Sequence, residues 1–178
     1  PEQLDADITM KGYRYDVALA GRLAEPRTIA AMAKGQPVPA NHDEQMKAQE
    51  APAMKLAGMK RFAYVGEGRY DFAMELAGEL TEAAPVVGFP NSKGDNSNFL
   101  TIRREKDGTV VISSPEIPAK ALADLKSVGL GASGTISIEV DGKVLESTAD
   151  EQPATGPHIW KRTTWEDRVF LKFDPDGN

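Results

Sequence analysis

From Met59 to Phe173 the chain is a succession of short alternating apolar and polar runs broken by turn residues, and this pattern predicts an antiparallel β domain. Phe62 to Val65 and Arg69 to Leu76 flank Gly66-Glu67-Gly68, with Tyr70, Phe72, Met74 and Leu76 on one face. Phe99 to Arg104 and Thr109 to Ser113 flank Asp107-Gly108. Thr135 to Val140 and Lys143 to Thr148 flank Asp141-Gly142, a pair that supplies the positive φ angles of a two-residue turn. Ile159 to Thr163 and Arg168 to Phe173 read as a fourth hairpin. Val86 to Phe89 reads as a short apolar strand and Pro90 to Asn98 as a polar loop. Ile117 to Val128 has the marks of a short helix, with Pro118 at its start, Leu122 and Leu125 facing inward and Gly129 beyond its end. The expected fold is mainly β: an antiparallel, hairpin-built sandwich or open barrel with one short helix.

The first third reads differently. Tyr13, Tyr15, Val17 and Leu19 alternate at period two, which predicts a strand or extended arm within Ile8 to Leu19. Pro26 to Lys34 predicts a short helix stopped by Gly35. Gln36 to Ala40, with two prolines, predicts a stiff connector. Asn41 and Glu44 have capping-box spacing. Yet His42 to Glu50 carries only Met46 and Ala48 as apolar residues, too thin a face to hold a helix to its own core. The expectation is therefore two parts: residues 1–58 as an N-terminal arm with short helices that lies on something else, and residues 59–178 as the β domain.

Charge and composition narrow the function classes. Among 178 residues, 27 acids against 21 bases give a net charge of −6, which disfavours nucleic acid as the main partner. With no cysteine there is no disulfide frame, thiolate catalysis or cysteine zinc site. The opening residues, Pro1-Glu2-Gln3-Leu4-Asp5, are acidic where a secretory leader is basic and then apolar. No apolar run approaches the roughly 20 residues that span a bilayer.

The motifs that suggest chemistry each meet a geometric objection. Gly129-Leu130-Gly131-Ala132-Ser133-Gly134 matches the dinucleotide fingerprint, but it follows a helix and precedes a strand, the reverse of what the pyrophosphate needs. His42 has Asp43 and Glu44 beside it, on different faces of a helix and so unsuited to a shared metal. His158 follows Gly156-Pro157 at the mouth of a hairpin, where a turn or surface role is expected. No Gly-x-Ser-x-Gly elbow exists. Asp95 to Asn98 lacks the length and terminal Glu of a calcium loop. No catalytic, cofactor-binding or metal-ligating residue is expected.

Partner contact is the better prospect. The candidates are Tyr13, Tyr15, Met46 and Met54 in the arm, and Trp160, Trp165 and Arg168 in the last hairpin, since aromatic and Arg side chains anchor interfaces. The arm (Ile8 to Gly58) joined to a hairpin body (Met59 to Phe173) resembles, at class level, tailed-phage virion proteins, and head-decoration or cement proteins in particular. That resemblance implies a place in the virion, bound to the major capsid or another shell protein, often as a trimer, with shell stabilisation as the role. Outside that setting the expected location is cytoplasmic. Two other classes compete: a secreted or surface module that binds carbohydrate or protein through the two tryptophans, and a small hydrolase on a β scaffold using His158 and a carboxylate. On the arm reading, removal of the first 58 residues leaves a soluble β domain.

Overall fold

The computed structural model describes residues 1–81, 87–90 and 96–177, with the backbone alone at 87–90 and 96–99. It is a two-sheet β fold. The first strand is Gln3–Lys11 (β1), and its alternation is plain once the register is known. Leu4, Ala6, Ile8 and Met10 are buried while Gln3, Asp5, Asp7 and Lys11 are exposed. The chain turns at Gly12-Tyr13, with Gly12 at φ 59°, and returns as Arg14–Ala24 (β2), paired antiparallel from Lys11↔Arg14 to Gln3↔Arg22. Both flanks of this hairpin are occupied, so it is the middle of a sheet. Arg69–Glu79 (β4) pairs along the whole of β2, and Met59–Gly66 (β3) pairs with β4 across the expected Glu67-Gly68 turn. On the other side Gly134–Asp141 (β8) runs parallel to β1, and His158–Arg162 (β10) closes that edge. The order is β10-β8-β1-β2-β4-β3.

This corrects the arm expectation. Residues 1–24 are not an appendage: they are the two central strands of the larger sheet, and Leu4, Ile8, Met10, Val17 and Leu19 belong to the core cluster. The second sheet contains Val87–Pro90 (β5), Asn96–Arg104 (β6), Val110–Ser113 (β7), Lys143–Ser147 (β9) and Phe170–Asp174 (β11), in the order β5-β6-β7-β11-β9. The strand expected around Val86 and the loop expected from Pro90 fall partly on residues outside those described, and β6 starts at Asn96. Leu100, Ile102, Val110, Ile112, Leu171 and Phe173 meet the first sheet's inner face, each at 1% exposure or less. A Leu, Ile or Phe so enclosed contributes roughly 1.5–3 kcal/mol.

Two expected hairpins are not hairpins. The chain passes from β8 through Gly142 straight into β9, but the strands do not pair. β8 stays in the first sheet while β9 joins β11 in the second. Asp141-Gly142 is thus a corner where the chain changes sheets. Gly142 has φ 146°, and a Cβ there would stand 2.4 Å from the Asp174 carbonyl oxygen. Likewise β10 pairs with β8, and β11 pairs with β7 and β9, so the two tryptophans do not share a hairpin tip.

The helices are short. Pro26–Ala33 (α1) begins after Glu25, whose carboxylate accepts from the Arg27 and Thr28 N–H groups, and ends before Gly35 at φ 64°. His42–Lys47 (α2) starts after Asn41, but the Asn41 side chain makes no capping bond, against the expected capping box. Glu50–Ala53 (α3) follows directly. This segment is held to its own sheet after all. Met46 is buried, Tyr70 donates its hydroxyl hydrogen to the Met46 carbonyl at 2.7 Å, and Glu50 accepts the Tyr64 N–H at 2.7 Å. The last contact satisfies a donor on the edge strand β3, which otherwise invites pairing with another chain. Ala119–Ser127 (α4) forms where expected, though Leu122 and Leu125 are only half-buried.

Candidate functional site

The fold disperses the seven predicted contact residues and uses most of them for packing. Tyr13 donates to the Gly108 carbonyl at 2.8 Å and carries the Arg104 guanidinium 3.9 Å above its ring. Tyr15 packs half-buried against the core and lies over Gly78, where an added Cβ would meet the phenol oxygen at 2.5 Å. Met46 and Trp160 are buried, and the Trp160 indole N–H donates to Thr148 Oγ1. Trp165 is half-buried and donates to the Leu130 carbonyl at 2.8 Å. Met54 is 43% exposed, and Arg168 is exposed with Glu116 3.9 Å away. Met46 and Trp160 therefore form no outer contact surface. Their partners come from elsewhere in the fold, Tyr70 for Met46 and Thr148 for Trp160, and nothing local in the sequence names them.

Both histidines have local structural partners. His42 Nε2 lies 3.2 Å from Thr28 Oγ1, and that hydroxyl donates onward to Glu25 at 2.6 Å. Burial pushes the Glu25 carboxyl up, but the Thr28 hydroxyl and the Thr28 and Arg27 amides outweigh it and hold the group below its ordinary range. His158 is 8% exposed, with Nδ1 2.9 Å from Ser147 Oγ, which also accepts the Ala149 N–H. Neither His158 nor Ser147 lines the groove described next. No three acidic, His or Cys side chains gather as a metal site among the described residues.

His158 does set a pH dependence. Its burial disfavours the imidazolium and lowers its pKa below the ordinary 6.5. The unfolded chain then binds the proton first, so stability is full above about pH 6.5 and declines as the pH falls toward the folded value. Denaturant midpoints between pH 7.5 and 5.5 should fall in the parent and fall less in His158→Gln. Parallel titrations in both proteins would assign the decline to other groups.

The surface left over is the outer face of the six-stranded sheet. At its centre the side chains are small. Asp5 pairs across to Ala20 and Ala20 to Ala73, while Asp7 pairs to Ala18 and Ala18 to Glu75. On the other side of β1, Ser137 stands beside Asp7 and Glu139 beside Thr9. The result is a shallow groove of about 390 Å³ over β8, β1, β2 and β4, with Thr135 and Ser137 along one side and Lys60 and Glu75 along the other. Asp5 is held in place, accepting the Thr135 N–H at 2.8 Å and the Gln3 side-chain amide at 3.3 Å. Asp7, Asp16 and Glu139 project exposed from the same face. Lys60 is drawn to Glu75 at 3.4 Å, and Arg22 and Arg61 gather on Asp71. Lys60, Arg22 and Arg61 thus sit toward the β3 side, Lys161 lies on the β10 edge and Lys11 and Arg14 by the β1–β2 turn, while acids and alanines occupy the centre. The signal was present in Leu4-Asp5-Ala6-Asp7-Ile8 and Ala18-Leu19-Ala20, strict alternations whose outward members are acids and alanines.

Comparison with protein-family models, with curated proteins and with solved structures finds no match to this chain. No helix among the described residues is long and apolar enough to cross a membrane.

Proposed function

We propose that this chain is a structural docking module that attaches to a larger protein assembly through the open face of its six-stranded sheet. The observation that supports the reading is the groove floored by Ala18, Ala20 and Ala73. Small side chains at the centre of a broad sheet let a partner approach the backbone closely, and a groove this open suits a protein surface better than an enclosed small molecule. Asp5, Asp7, Asp16 and Glu139 favour a partner whose contacting segment is basic, with attraction that weakens as salt rises. In its most specific form, taken from the class resemblance, the larger body is a viral shell and the chain decorates it. The attachment then runs through the sheet face and not through an arm. The tryptophan-based carbohydrate reading loses its footing, because Trp160 is buried and the Trp165 N–H is already bonded.

The test is site-specific photocrosslinking in the source organism, with benzoylphenylalanine at Ala18, Ala20 or, as control, Lys106. The two groove positions should give one and the same adduct, and Lys106 should not. Once identified and purified, that partner should bind the Asp7→Lys variant about tenfold or more weakly than the parent. Equal adducts at all three positions, or unchanged affinity for Asp7→Lys, would overturn the reading.

A further inference from the structure

Among the described residues, Arg162 is a shielded cation with a donor that nothing in the fold fills. It is the last residue of β10, a strand whose His158, Trp160 and Arg162 point inward while Ile159 and Lys161 point out. The guanidinium is therefore carried into the end of the sandwich. Its Nη1 is fully shielded and has no hydrogen-bond partner, the sole such side-chain atom among the described residues. No salt bridge reaches Arg162 among the described residues either, and the Trp165 ring lies 5.8 Å from its Cζ. Burial pulls its pKa down, against a smaller upward pull from Asp167. A desolvated guanidinium with an unfilled donor is costly, and proteins tolerate one where something completes it.

Beside it lies a cavity of about 250 Å³, bounded by Arg162, Lys161, Arg168, Thr148 and Trp160. Three acids also border it, but each is engaged elsewhere. Asp150 accepts the Lys161 N–H at 2.7 Å. Glu166 holds Lys126. Asp167 Oδ2 accepts from the Thr163 amide and hydroxyl and the Thr164 amide at 2.6, 3.1 and 2.8 Å, and so fixes the turn that follows β10. Lys161 pairs with Glu151 and Arg168 with the exposed Glu116 at 3.9 Å. Arg162 is the cation of the cavity with no salt bridge among the described residues, and Arg168, with its loose exposed partner, is the nearest second guanidinium of the lining.

We infer that this cavity at the end of the sandwich binds a carboxylate, received by Arg162 and Arg168, with Trp160 in its wall and Trp165 next to Arg162. The guanidinium fork suits a planar two-oxygen anion, and the volume fits one small carboxylate group with a short body. The bound group is either a free small acid or the terminal carboxylate of a peptide. This inference is independent of the sheet-face reading, because the cavity and the groove share no residue.

The two indole N–H resonances are built-in reporters. In ¹⁵N-labelled parent protein, titration with benzoate at constant ionic strength should shift both saturably, with a dissociation constant in the millimolar range. The thermal midpoint should rise by roughly 3–6 °C at about tenfold that concentration. Benzamide, neutral and of the same shape, should do neither. A short peptide ending in a free carboxylate, set against its amidated form, separates the two sources: binding at least as tight as benzoate, lost on amidation, assigns the peptide terminus, and weaker binding assigns the free acid. Arg162→Met should remain folded, with an unliganded midpoint at or above the parent's because the unpaired charge is gone, and should show no benzoate shift. Arg162→Lys keeps the charge without the fork and should bind about tenfold more weakly. Absence of a saturable shift in the parent, or an equal shift with benzamide or in Arg162→Met, would overturn the assignment.

Discussion

Deletion of residues 1–24 should unfold the whole protein and not merely shorten it. The deleted segment is β1 and β2, and the remaining strands of the six-stranded sheet have no other way to meet: β8 pairs with β1 and β4 with β2. Leu4, Ile8, Met10, Val17 and Leu19 leave the core at once. At about 1.5–3 kcal/mol each, their burial is worth roughly 7–15 kcal/mol, as much as the entire stability of a typical domain. The exposed inner faces of β4 and β8 then carry Phe72, Met74, Ile136 and Ile138 into solvent, so the truncated chain should aggregate. Circular dichroism and a denaturant melt check this directly. In the intact chain, amide exchange should place β1 and β2 among the slowest regions, since central strands open only with global unfolding. A soluble truncated protein with a cooperative melt would restore the arm interpretation.

The misreading of the first third has a physical origin. Local signals identified β3, β4, β6, β7 and α4, because a hairpin or a helix is specified by residues near one another. The class of fold followed from them. The β1–β2 hairpin is also local, but its turn, Gly12-Tyr13, lacks the usual Asn-Gly or Asp-Gly signature, and the acids Asp5 and Asp7 hid the alternation of Leu4, Ala6, Ile8 and Met10. Other features were out of reach for a stronger reason. The parallel pairing of β1 with β8 joins residues about 130 apart, and nothing local in either strand names its partner. Asp141-Gly142 carries a hairpin's sequence but makes a corner, because β1 and β11 each outcompete the local partner that β8 and β9 would have offered one another. The groove inherits this limit. Each of its alternations is visible in the sequence, but the meeting of Asp7, Ala18, Glu75 and Ser137 exists only in the assembled sheet. The same holds for Arg162, whose Nη1 goes unpartnered among the described residues only once the end of the sandwich is folded.

The second large effect is expected at Gly134, the last glycine of the Gly-x-Gly-x-x-Gly run. Gly134 opens β8 at φ 121°, a backbone state that costs an L-residue about 1–3 kcal/mol. A Cβ there would lie 2.0 Å from the Leu4 carbonyl oxygen and 2.6 Å from its carbon. Those are backbone atoms of a central strand and cannot rotate away. Leu4 also donates its N–H to the Ser133 carbonyl, so relieving the clash pulls apart the start of the β1–β8 ladder. Gly134→Ala should therefore cost about 3 kcal/mol or more, lowering the melting midpoint by roughly 6–12 °C in a chain of this length. Gly131→Ala is the internal control. Gly131 has no positive φ among its constraints and nothing within 4 Å of a built Cβ, so its substitution should leave stability within about 0.5 kcal/mol. A phosphate-binding loop would rank these two positions otherwise, since there the middle glycine lets the backbone approach the pyrophosphate. Thermal melts of the two variants side by side decide the matter: a large loss confined to Gly134→Ala identifies the run as a helix-to-strand connector pinned at its last glycine, and a Gly134→Ala protein as stable as its parent would refute the close approach of β8 to β1.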